Sequence, residues 1–140
     1  MLKRLALSTL ALAALTGAAL AQTTIKKVPV TQTSPVDGKQ MYTEYCAVCH
    51  GTDGRGAGPA AAALKKTPTD LTKLAMHNNG KFPEALVEHA IEGDPLVVSH
   101  GSVDMPVWGN LFKSLSGSTD AVVRMRVVNL TEYVKTLQTK

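Results

Sequence analysis

The chain has 140 residues, a formal charge of +4 at neutral pH and two cysteines. That length suits one domain rather than two. The charge is too mild to argue for nucleic acid, and the basic runs with interleaved aromatics that such binding uses are absent.

The first residues read as an export signal. Lys3 and Arg4 make a positive start, Leu5 to Leu15 is apolar except for Ser8 and Thr9, and Ala19-Leu20-Ala21 offers a small-x-small cleavage pattern before Gln22. The apolar run falls short of the ~20 residues that a membrane span requires. Residues 1–21 are therefore read as a cleaved signal rather than a transmembrane anchor. No cysteine near that site suggests a lipid-anchored variant, and no later segment is long or apolar enough to span a bilayer. The expected product is a soluble periplasmic protein with no membrane span. Residues 22–35, rich in Thr, Val, Lys and Pro and lacking a helical period, read as an exposed tether or an ordered N-terminal extension. Residues 36–140 form the expected domain.

Asp37 can start a helix that runs to about Cys49, with Gly38, Tyr42, Tyr45 and Cys49 on one stripe and Met41 beside it. Core packing is the reading preferred for both tyrosines. Both cysteines of the chain lie at its end, in Cys46-Ala47-Val48-Cys49-His50. Positions i, i+3 and i+4 of a helix share one face, so Cys46, Cys49 and His50 would point together at one object. A C-x-x-C-H run reads as c-type haem attachment: the thiols add across two haem vinyl groups, and the imidazole reaches the iron as its proximal ligand. Three other readings compete. A thioredoxin-like redox pair belongs near a βαβ pattern, and no convincing strand run precedes Cys46. A structural zinc site needs four ligands, usually from two separated pairs, and there is no second cysteine pair. A disulfide suits an exported chain, but closing so short a loop makes a poor staple. A buried haem would also supply apolar bulk to a chain with only one Trp, two Phe and three Tyr, although Leu, Val and Ala could fill a core as well.

After His50 come Gly51, Gly54, Gly56, Gly58 and Pro59. No strand precedes this stretch and no Gly-Lys-Ser/Thr follows, so a phosphate loop fails its context test. Close backbone approach and positive φ angles around a bulky group explain the glycines better. Pro59 to Lys66 is alanine-rich and reads as a short helix. Thr67 to Leu71 ends it, with Asp70 as a cap for another short turn. Phe82 to Ile91 reads as a helix with Pro83 in its first turn, Leu86 and Ala90 on its buried face with Val87 and Ile91 beside them, and Gly93 as its stop. Asp94 to Pro106 is irregular. Ser118 is the candidate N-cap of a last helix, and Asp120 lies at its positive end. Val123, Val127, Leu130, Val134 and Leu137 repeat there at steps of four and three, an amphipathic pattern. Alternating runs are scarce, so the expected fold is nearly all α.

A haem iron held by one imidazole has a sixth position to fill or leave open. Candidates are Met41, Met76, Met105, Met125, His77, His89 and His100. Met41 shares the attachment helix and cannot easily reach the opposite haem face, whereas Met125 and His89 fall within helices, where packing or solvent exposure explains them. Met105 sits in a loop, followed by Pro106, which limits the local conformations, and by Trp108, an indole N–H donor. A thioether raises the reduction potential relative to a second histidine. His100, five residues earlier in the same loop, stays open as the rival.

Gly38-x-x-x-Tyr42-x-x-x-Cys46-x-x-Cys49-His50-Gly51, then Gly58-Pro59, then Met105-Pro106-x-Trp108-Gly109, then Leu130-x-x-Tyr133-Val134-x-x-Leu137 resembles a class I c-type cytochrome of the small bacterial monohaem kind. The match covers about residues 36–138. The resemblance implies a cytochrome c-like fold of about four to five short helices wrapped around one covalently attached haem c. It implies thioethers at Cys46 and Cys49, His50 as proximal and Met105 as distal iron ligand, and a Pro59 carbonyl accepting from the other nitrogen of His50. It further implies that Gly38 meets Tyr133 where the first and last helices cross, and that Trp108 lies near a haem propionate.

The expected function is one-electron transfer between redox protein partners, without an enzyme active site. The alternatives are a dedicated haem subunit of a periplasmic oxidoreductase complex, with residues 22–35 as a docking arm, and a gas sensor with a displaceable sixth ligand. Lys65, Lys66, Lys73, Lys81 and Lys113 could ring the haem edge and steer acidic partners, but ordinary solvated lysines are the preferred reading.

Overall fold

Asp37 starts the first helix as expected: its Oδ1 accepts the Gln40 N–H at 2.8 Å, satisfying one of the donors left open at a helix start. In the computed structural model, residues 30–93, 105, 107–115 and 119–139 are described. The export signal, His100, Pro106 and Ser118 lie outside them. Helix α1 (Gly38–Met41) passes into a π-helical turn (Tyr42–Cys46) and then α2 (Ala47–His50). The π turn, in which the Ala47 N–H reaches back to Tyr42 O, is a departure from the uniform α-helix read from the sequence.

After a short 3-10 turn at Ala61–Ala63 and another at Leu71–Lys73 come α3 (Leu74–His77) and α4 (Glu84–Glu92), then α5 (Trp108–Ser114) and α6 (Asp120–Thr136). Every regular element among the described residues is helical, and the fold is the all-α cytochrome c-like one. The helix expected over Pro59–Lys66 shrinks to the turn at Ala61–Ala63, none of whose residues is buried. Without a packed face, so short an alanine run has nothing to offset the cost of nucleation. Pro83 is the N-cap residue of α4 rather than a member of its first turn. The inward face of α4 is Val87 and Ile91, while Leu86 is 51 % exposed. Gly93 ends α4 in the left-handed conformation at φ 81°, as its composition suggested.

The long helix α6 turns Val123, Val127, Leu130 and Val134 into the core, together with Arg126 and Thr131. Tyr42, Met41 and Phe112 complete the centre. Helices α1 and α6 cross where Gly38 stands: a Cβ there would lie 2.1 Å from Asn129 O and 3.0 Å from Tyr133 Cβ. Tyr42 and Tyr133 pack beside that crossing with ring centroids 5.2 Å apart. Gly38→Ala should therefore force the two helices apart, at about 3 kcal/mol, the upper end of overpacking. Thermal unfolding of the holoprotein checks this, and an unchanged midpoint would show that the crossing is looser than described.

Residues 31–35, expected as part of a tether or extension, are tied to the body. Tyr45 Oη donates to Thr31 O at 2.6 Å, Arg126 donates to Thr33 O at 2.9 Å and Asn129 Nδ2 donates to Pro35 O at 3.2 Å. Gln32 Nε2 also donates to Leu115 O. Thr33 is buried. Residues 31–35 thus form a strap joining the attachment helix to α6.

Candidate functional site

Cys46 closes the π turn and is the N-cap residue of α2, while Cys49 and His50 lie in α2 itself. The helix brings the three to one face, one turn apart. Both thiols are unpaired, Cys46 buried and Cys49 half-buried. Burial, with the neighbouring Cys49 second, pushes the Cys46 thiol up to about 12.

The glycine loop holds the end of this helix. Gly56 N–H donates to His50 O at 2.7 Å, Gly58 N–H to Cys49 O at 3.0 Å and Ala60 N–H to Val48 O at 2.9 Å. These bonds satisfy carbonyls that a helix end otherwise leaves open. Gly58 makes this possible: a Cβ there would sit 2.5 Å from both Ala47 O and Val48 O. Gly56 has φ +83° and would meet Pro68 O at 2.3 Å with any side chain. The loop is therefore a backbone clamp on the attachment turn, consistent with close approach rather than phosphate binding.

His50 Nδ1 lies 3.0 Å from Thr69 O. A carbonyl only accepts, so Nδ1 carries the proton and Nε2 presents its lone pair. Burial lowers the pKa of the ring, partly opposed by the Thr69 bond, which favours the neutral, ligating form. The acceptor expected from the resemblance was Pro59, and here the structure corrects it. Pro59 is exposed and stands in the turn that docks on Val48 through Ala60, whereas it is Thr69 that sets its carbonyl beside the imidazole. No side-chain signal could have revealed Thr69, because any residue type supplies a carbonyl.

Met105 is half-buried and packs against the core cluster, as does Trp108. Trp108 opens α5 and stacks on Tyr45 with centroids 5.3 Å apart and planes 29° apart. Phe112 packs on both rings. This aromatic group joins the segment after Met105 to the residue just before Cys46. Of the lysines weighed for the haem edge and preferred as ordinary surface residues, Lys73 pairs with Asp70 at 3.4 Å and Lys113 with Asp120 at 3.1 Å. Surface pairs of this kind contribute little but reduce the positive charge available for steering.

Two free thiols and an imidazole with one nitrogen already committed make a donor set suited to a covalently anchored haem. A family model matches residues 33–117, well over half of the chain, and is described as cytochrome c oxidase, cbb3-type, subunit III. The chain belongs to this family of c-type cytochromes. Its cofactor is a covalent c-type haem, and the role of such a domain is haem-based electron transfer rather than catalysis. Comparison with curated proteins and with solved structures gives no match. The family match begins at Thr33, so residues 33–35 of the strap fall inside the matched region. Among the described residues no helix is long and apolar enough to cross a membrane.

Proposed function

We propose that this c-type cytochrome is a periplasmic one-electron carrier with a His/Met-ligated haem. Cys46 and Cys49 carry the thioethers, His50 is the proximal ligand and Met105 the distal one. Trp108 borders a propionate. Residues 1–21 are the export signal, residues 22–35 the N-terminal extension and residues 36–140 the cytochrome c domain, with 31–35 of the extension bonded to the body. The observation that carries the reading is His50 anchored through Nδ1 at 3.0 Å from Thr69 O, which leaves Nε2 for iron. When bound, the haem supplies the redox couple. The protein fixes the imidazole, shields the thioether turn under the glycine loop, and holds Met105 and Trp108 on the aromatic side of the core.

With both axial positions filled in both oxidation states, the reduced protein should take up no carbon monoxide at neutral pH, checked by its Soret spectrum. A full carbon monoxide adduct would replace the carrier with the gas-sensor reading. The family's description as a cytochrome c oxidase subunit favours a second reading, in which this domain is the dedicated haem subunit of a periplasmic oxidoreductase complex. Fractionation of native cells separates the two: a free carrier is recovered alone in the periplasmic fraction, a subunit together with its partners.

A further inference from the structure

We propose that Arg126 is a buried charge that raises the reduction potential of the haem. The inference rests on the reading that the haem hangs from Cys46 and Cys49. Arg126 is 2 % exposed, and no acidic side chain pairs with it among the described residues. Its donors instead meet neutral groups: Nη1 gives to Thr33 Oγ1 at 3.0 Å and lies 3.7 Å from Met41 Sδ, and Nη2 gives to Thr33 O at 2.9 Å. The guanidinium carbon stands 5.8 Å from the centre of the Phe112 ring, and Nε has no partner among the described residues. A buried charge left without a counter-charge is costly, and among the described residues nothing offsets the positive field of Arg126.

That field lies beside the attachment turn. The Thr33 hydroxyl that accepts from Arg126 is 2.9 Å from Tyr45 Oη, and Tyr45 directly precedes Cys46. Phe112, under the guanidinium, also packs on Tyr45. Reduction adds one electron to Fe(III) and removes one positive charge from the iron. A fixed cation nearby repels the reduced form less, so it favours Fe(II). One unit charge a side-chain layer away, at an effective dielectric of about 20, moves such an equilibrium by about tenfold. The strap, by excluding water, keeps salt from screening the interaction.

The test is the reduction potential of four holoprotein variants. Arg126→Met should favour the oxidised form about tenfold, ~59 mV for one electron. Thr33→Asp, which sets a carboxylate against the guanidinium, should move it in the same direction. Arg126→Lys and Thr33→Asn, which leave the net charge of the cluster as it is, should stay within about threefold of the parent. Equal shifts in Arg126→Met and Arg126→Lys, or in Thr33→Asp and Thr33→Asn, would overturn the proposal and leave Arg126 as an anchor for the strap. If Arg126→Met does not mature, the Thr33 pair decides alone. The sulfur-to-iron charge-transfer band and the covalent haem are followed in every sample: their absence from the parent protein would overturn the site assignment and the Arg126 proposal with it, whereas potentials that fail to shift while both are intact overturn the proposal alone.

Discussion

Replacing Met105 with alanine is expected to convert a low-spin haem to a high-spin one, abolish the sulfur-to-iron charge-transfer band and open the iron to carbon monoxide. The physical reason is the loss of the soft axial donor that stabilises Fe(II). Axial ligands set haem potentials over about 0.8 V in all, so a fall on the order of 0.1–0.2 V is expected on substitution. Met105 packs at the edge of the core, and truncation there should leave the helical fold intact. Circular dichroism would therefore change little while the visible spectrum changes completely. An unaltered spectrum would move the ligand elsewhere, with His100 next to be substituted.

The second large effect concerns the thiols. Cys46→Ala with Cys49→Ala should yield a chain whose haem, if taken up at all, is extracted by acidified organic solvent, and whose mass after extraction is that of the polypeptide alone. Stability should fall by at least about 3 kcal/mol, a large share of what a single domain has. A tethered haem cannot leave, whereas a free one stabilises the fold only in proportion to its concentration over its dissociation constant. The single variants should keep one thioether and lose less. A double variant as stable as the parent would show that the protein part of the core suffices.

The attachment turn was legible because its chemistry requires fixed neighbours: two thiols and an imidazole within five consecutive residues leave few alternatives. Helix α6 was legible because Val123, Val127, Leu130 and Val134 step by four and three, and all four are buried. The meeting of Gly38 with Tyr133 at the helix crossing came from the family resemblance rather than from periodicity. Other features left no such trace. Four apolar positions on α4 define two overlapping stripes, so composition could not show that Leu86 faces out while Val87 and Ile91 face in. Arg126 occupies the inward side of α6, yet an arginine reads as surface until its neighbours are known. The docking of Thr31 to Pro35 depends on partners some eighty to ninety positions away, such as Leu115, Arg126 and Asn129. The His50 acceptor is main chain and carries no side-chain signature.

The π turn at Tyr42–Cys46 has a bearing on how the first rod of the molecule serves two masters. Each residue of an α-helix advances the azimuth by roughly 100°, and a wide turn delays that advance, so the portion downstream is rotated relative to the portion upstream. Gly38 can thus be aimed at Asn129 while Cys46, Cys49 and His50 take an aim of their own. Wide turns of this sort recur at functional positions. Excising a single residue such as Thr43 would restore an unbroken α-helix and leave the two aims nearly in phase, because the wide turn spends one extra residue on about the same rotation; forcing the present residues into a regular α-helix would instead swing the two aims apart.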